Sequence, residues 1–228
     1  MTEPVKPRVL VFDVNETLLD LAPVKRTVGA VLGGREDLVP WWFSTMLHHS
    51  LVETVTGTFH DFGEIGTAAL MMVAEAQGLE LSREQARKAV EPILSLPPHD
   101  DVIPALETLV KGPFRLVSLT NSSSQGVETQ FRNAGLTEFF ERRYSIETIG
   151  KYKPHPDAYR MVLDDLDVPA EQALMVAAHG WDLAGAKSVG MQTAFIARPE
   201  KVLYPNVEEP DYIVENLFDL GMMLAFLA

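Results

Sequence analysis

The sequence predicts an α/β fold, a parallel sheet with helices on both faces, opened after its first strand by an inserted block made of helices alone. Three observations carry this. The run Val9-Leu10-Val11-Phe12 stops abruptly at Asp13, which reads as a strand buried on both faces with a carboxylate at its C-terminal end. From about residue 23 to about residue 95 the apolar residues recur at helical spacing and no strand interrupts them. From Asp101 onward, short apolar runs alternate with helical segments, the pattern of a sheet whose parallel strands are joined through helices. Together they predict a Rossmann-like core from residues 1–20 and 98–228, with residues 21–97 as a helical cap domain.

Each element has its own signal. In the insert, Val24, Val28, Val31 and Leu32 form one helical stripe, ended by Gly33-Gly34. Residues 40–55 place Trp41, Trp42, Met46, Leu47 and Leu51 at helical spacing, and residues 62–78 do the same with Ile65, Ala68, Ala69, Met72 and Val73. Ser82 followed by Gln85 is a capping-box pattern that opens a fourth helix running to Leu94. Pro97-Pro98 then stops the helical block. In the core, helices are predicted over 102–111, 125–134, 156–166 and 183–189. Strands are predicted over 114–119, 173–177, 193–196 and 212–214.

Composition narrows the function. With 228 residues and 46% hydrophobic content the chain can bury a large core. A formal net charge of -13 argues against nucleic acid or an anionic membrane as partner, because both require basic surface, and it means that an anionic substrate needs a local positive site. There is no cysteine, so disulfides, thiolate nucleophiles and thiolate metal sites are excluded. Met1 to Arg8 lack the apolar run of a secretory signal, and Leu217 to Ala228, interrupted by Asp219, falls short of a membrane span. A cytoplasmic protein is expected.

Three strand ends carry polar clusters: Asp13 with Asn15, Glu16 and Thr17; Thr120 with Asn121; and His179 with Asp182. In a parallel sheet such tips lie along one edge, so these residues are expected to meet.

The residues Asp13, Thr120, Lys153 in Lys-Tyr-Lys-Pro, and Asp182, in that order, resemble the four motifs of the haloacid dehalogenase superfamily, and the helical insert resembles its cap. The resemblance implies that Asp13 is a nucleophile. Most of the superfamily are magnesium-dependent phosphatases with an acidic general acid two residues after the nucleophile and an aspartate metal ligand in the last motif. Here those positions are Asn15 and Ala178, which offer neither a proton nor a hard-cation ligand. The chain is therefore closer to the 2-haloacid dehalogenase branch, whose last motif also carries Trp-Asp, here Trp181-Asp182. That implies cleavage of a small haloacid without metal or cofactor, and a homodimer. A phosphatase of the same fold is the alternative.

Departures from that branch are equally informative. Thr120-Asn121 replaces Ser-Asn, Glu16 stands where glycine is expected, His179 where asparagine is expected, and Phe43 near an expected arginine. The implied roles are attack by Asp13, a charge-supporting Lys153 positioned by Asp182, Thr120 orienting Asp13 or the substrate, and Asn121 holding halide or carboxylate. Glu16 and His179 together suggest a dyad that activates the hydrolytic water. Asn15, Asn121, Trp181, Trp42, Phe43 and Phe62 are the expected substrate-binding residues. His48, His49, His60 and Asp61 lack a metal-site spacing and read as a solvated cap face. Lys151 is second to Lys153 for the lysine role, and Arg8, Lys6 and Lys201 read as ordinary surface charge.

Overall fold

The computed structural model describes residues 5–227. Its strands are β1 (Val9–Phe12), β2 (Arg115–Thr120), β3 (Arg142–Ser145), β4 (Ala173–Ala177), β5 (Gln192–Ile196) and β6 (Tyr212–Val214). They form one six-stranded sheet, parallel throughout, in the order β3-β2-β1-β4-β5-β6. Every residue of β1 and of β4 is buried, as expected of central strands covered on both faces.

The helices are α1 (Ala22–Val31), α2 (Val39–Thr56), α3 (Phe62–Ala76), α4 (Arg83–Val90), α5 (Val102–Leu109), α6 (Ser124–Ala134), α7 (Pro156–Leu166), α8 (Gly180–Lys187) and α9 (Leu217–Leu227). The first four lie between β1 and α5, so the predicted helical insert is present. Its way in and way out run side by side, with the amide of Asp20 donating to Pro97 O (2.8 Å) and that of His99 to Leu18 O (3.0 Å). Ser82 and Gln85 make the predicted capping box. The helix it opens stops at Val90, earlier than expected, and tightens into a 3-10 segment from Glu91 to Ser95, because Pro92 has no amide to donate.

Two further differences matter. Strand β3 is absent from the sequence prediction because it is a polar edge strand, paired only with β2, whose Arg142 and Arg143 bridge to Asp165 and Glu128. Helix α8 begins at Gly180 instead of Leu183, which places Trp181 and Asp182 in its first turn and His179 at its N-cap. No helix among the described residues is long and apolar enough to cross a membrane.

The chain fills one side of the sheet through β2 and β3 and the other through β4, β5 and β6, so the order reverses between β1 and β4. Asp13 follows β1 at that switch point, where open parallel sheets leave a crevice beyond their strand ends.

Candidate active site

The turn after β1 is tight. Leu18 and Leu19 both donate to Val14 O (2.9 and 3.0 Å), and Glu16 donates to Leu19 O (2.9 Å). To close it, Glu16 adopts φ 63°, the left-handed region that a residue with a Cβ enters at a cost of about 1 kcal/mol or more. Here the resemblance expects glycine, and the chain holds a strained glutamate instead. Thr17 Oγ1 donates to Asp13 Oδ2 (2.6 Å) and accepts from the amide of Ala178 (2.9 Å), joining the tips of β1 and β4.

Lys153, 1% exposed, spends its ammonium on three acceptors: Asp13 Oδ1 (2.9 Å), Leu119 O (2.9 Å) and Asp182 Oδ2 (2.6 Å). Its backbone is fixed as well. Its amide donates to Asn121 Oδ1 (3.0 Å), and the preceding Tyr152 donates from its amide to Thr54 Oγ1 (3.0 Å) and from its hydroxyl to His60 O. Asp182 in turn accepts from the Tyr159 hydroxyl at Oδ1 (2.5 Å). That hydroxyl lies where a Cβ on Gly185 would be, so only glycine lets α7 and α8 approach this closely.

His179 links the two carboxylates of the first turn. Nδ1 lies 3.0 Å from Asp13 Oδ2 and Nε2 lies 3.0 Å from Glu16 Oε2. The ring does not cap α8; it stacks with Phe43 (centroids 6.1 Å apart) and with Trp181 (5.1 Å). With a carboxylate at each nitrogen, the ring is an imidazolium. Burial alone lowers its pKa, but the bonds to Asp13 and Glu16 outweigh burial and push it up to about 9. Burial raises Asp13, and Lys153, His179 and Thr17 overcome that and hold it well below the usual carboxylate range. Glu16 comes down to about 2, its burial offset by His179 and Lys201. Burial and the nearby Asp13 raise the pKa of Asp182 against the pull of Lys153 and the Tyr159 hydroxyl.

A cavity of about 20 Å³ lies over Asp13, room for about one water molecule. Asn15, Thr120, Asn121, Lys153, His179 and Trp181 line it from the core, and Phe43, Leu47 and Phe62 close it from the helical insert.

The predicted site residues thus assemble, with these corrections. Trp42 is no part of the cavity: it is fully buried inside the insert, its Nε1 donating to Gly66 O (2.8 Å). Thr17, not Thr120, holds Asp13, because Thr120 Oγ1 points back to accept from the amide of Ser122 (3.1 Å). Asn15 reaches the cavity wall, but its amide is committed to Ser122 Oγ (3.3 Å) and Gln130 Nε2 (2.8 Å). Lys201 is no ordinary surface charge: its ammonium is 2.7 Å from Glu16 Oε2 and 5.7 Å above the Phe43 ring. Lys151 pairs with Asp157 outside the site. His60 pairs with Glu53 and Asp61 caps α3, so they do not converge with His48 and His49.

A hard cation of the kind the superfamily's phosphatases use does not fit these residues. Both oxygens of Asp13 are taken by Lys153, Thr17 and His179, and the side chain at Ala178 offers no oxygen.

Comparison with known proteins agrees with this geometry. The family model for haloacid dehalogenase-like hydrolases matches residues 7–190. The chain is 30% identical over 221 residues to (S)-2-haloacid dehalogenase 2 of Pseudomonas sp. (strain CBS-3), covering 96% of both chains. It superposes with a TM-score of 0.90 at 26% identity on L-2-haloacid dehalogenase from Xanthobacter autotrophicus, covering 97% of this chain and 100% of that one. The same enzyme with chloropropionic acid covalently bound superposes at 0.89 and 25% identity, with the same coverage. Fold, site and sequence together show that this chain belongs to the haloacid dehalogenase-like hydrolases.

Proposed function

We propose that the protein hydrolyses short 2-haloalkanoic acids, (S)-2-haloacids or haloacetate, to 2-hydroxy acids without metal, through an ester on Asp13. The observation that carries this is a buried, ionised aspartate whose oxygens are held by Lys153, Thr17 and His179, with Asn15 and Ala178 standing where a phosphatase of this fold carries its carboxylic general acid and its magnesium ligand.

In the first step Asp13 attacks the halogen-bearing carbon in line, the carbon–halogen bond breaks, and halide leaves with the bonding pair. Lys153 keeps the nucleophile ionised. The Asn121 amide, which lines the cavity, holds halide or carboxylate. Alkylation removes one of the two negative charges that keep His179 protonated, so the ring gives up its Nδ1 proton to solvent, the proton that accompanies halide in the net reaction, while Nε2–H stays on Glu16. In the second step Nδ1 takes a proton from water and the hydroxide adds to Cγ of Asp13. The tetrahedral adduct collapses and expels the alkoxide, which takes the proton of the new carboxyl group. Asp13 returns as carboxylate and His179 as imidazolium. Hydrolysis breaks the acyl bond, so the displaced carbon is inverted once and an (S)-haloacid gives an (R)-hydroxy acid.

Phe43 fits this scheme. A guanidinium there would repel the imidazolium, whereas an aromatic face stabilises it. Residues 21–97 act as the cap that closes over the reaction. A homodimer and a cytoplasmic location complete the reading, and light scattering on the purified protein tests the dimer.

The test is halide release from chloroacetate and from each enantiomer of 2-chloropropionate with EDTA present, beside phosphate release from p-nitrophenyl phosphate with magnesium, both repeated on Asp13→Asn. Metal-independent halide release that disappears in the variant is expected. Phosphate release alone would replace this reading with a phosphatase.

A further inference from the structure

The cavity over Asp13 holds about one water molecule, too little for a haloacid, so a bound haloacid needs room from a neighbouring space. A chamber of about 370 Å³ lies between α2 and the loop around Lys201, a volume typical of small-molecule sites. It shares Phe43, Leu47, His179 and Trp181 with the Asp13 cavity, so these four residues form a common wall. The larger cleft of about 600 Å³, lined by Asp61, Arg83, Arg87 and Ser123 among others, shares none of that cavity's residues.

We infer that this chamber is the way to Asp13 for anionic substrate, and that Lys201 is its specificity residue, receiving the substrate carboxylate in exchange for Glu16. The inference rests on the proposed dehalogenase reading. It supplies the local positive site that an anion needs on a chain of net charge -13.

Lys201 is built into place. Its amide donates to Arg198 O (3.0 Å), and the Arg198 guanidinium donates twice to Thr17 O (3.2 and 2.9 Å) and once to Asp101 (2.7 Å). The loop beyond it rests on Gly180, where a Cβ would stand 3.4 Å from Leu203 Cα and Tyr204 N. The base of the loop is therefore fixed to the turn that carries Asp13, while the lysine itself keeps a flexible stem. Its ammonium sits on Phe43, one of the residues that separate chamber from cavity. When it turns to a substrate carboxylate, Glu16 keeps His179 as a cationic partner, so one ion pair replaces another and no carboxylate is left unpaired.

Halide departure is irreversible, so kcat/KM for halide release reports only capture and displacement, and a defect in ester hydrolysis lowers kcat alone. This separates capture by Lys201 from an effect through Glu16 on the later water attack. Chloroacetate kinetics on Lys201→Met are expected to show kcat/KM about tenfold or more below wild type, the range of electrostatic focusing, with Lys201→Arg near wild type. Ser44→Trp, which fills the chamber from α2 without reaching Asp13, is expected to lower kcat/KM as well. Wild-type kcat/KM in Lys201→Met, with or without a fall in kcat, would overturn the role of Lys201, and wild-type kcat/KM in Ser44→Trp would overturn the route. Failure of the wild-type protein to release halide would overturn the dehalogenase reading itself, and this inference with it.

Discussion

Replacing His179 by asparagine separates the two halves of the proposed reaction. Asparagine keeps a polar side chain but has no nitrogen able to take a proton from water. Asp13 still has Lys153 at 2.9 Å and Thr17 at 2.6 Å, so displacement of halide continues. Only the second step loses its base. General-base help of this kind is worth about 10²- to 10⁴-fold, or about 3 to 5 kcal/mol of barrier. Without that help hydrolysis is expected to slow by this factor and to limit turnover in His179→Asn. Rapid mixing of the variant with excess chloroacetate is expected to give a burst of one chloride per active site and then a slow phase, with intact-protein mass spectrometry showing one substrate-derived carboxymethyl group on the chain during that phase. Many turnovers with no accumulated ester would refute the assignment of His179 to water attack. A variant with no burst would show that the ring is needed for displacement instead.

Other expectations follow from the same contacts. At position 16, alanine and glycine both remove the carboxylate, so their difference isolates the backbone: Glu16→Gly is expected to be more stable than Glu16→Ala by about 1 kcal/mol in urea unfolding, and both to hydrolyse the ester slowly. Since His179 has its pKa raised from 6.5 to about 9, its contribution to stability is fully present below about 6.5 and is lost as pH rises through about 9. That loss amounts to about 3 kcal/mol, visible in unfolding midpoints at pH 6, 8 and 10 and absent in His179→Asn. Lys153→Met leaves Asp13 and Asp182 buried without their cation, a loss of about 3–5 kcal/mol that should lower the thermal midpoint by on the order of 10 °C and abolish halide release.

Much of this site was legible in the sequence because its residues stand where an apolar run ends. Asp13 and His179 come just after strands β1 and β4, Thr120 ends β2, and parallel order then brings the three together. What stayed hidden depends on tertiary phase or on irregular chain. Trp42 and Phe43 are adjacent on α2, and their positions differ by about a quarter turn. The structure sends the stripe Val39, Trp42 and Met46 into the insert and turns Phe43 and Leu47 toward Asp13. The spacing of Phe43 and Leu47, four residues apart, was the available sign of that second stripe. Lys201 lies in a loop without periodicity, so nothing near it in sequence announces that Arg198 fixes it beside Glu16. Strand β3 was hidden by its arginines, which an edge strand accommodates because only one side is paired.

The central claim is that Asp13 itself becomes esterified and is regenerated by water attacking its carboxyl carbon. A single turnover in water enriched in heavy oxygen, with enzyme in excess over 2-chloropropionate, tests it most directly. The label is expected in a peptide containing Asp13, with an unlabelled hydroxyl in the lactate formed. Label in the lactate, with none in Asp13, would mean that water attacks the substrate carbon directly and that Asp13 is not esterified.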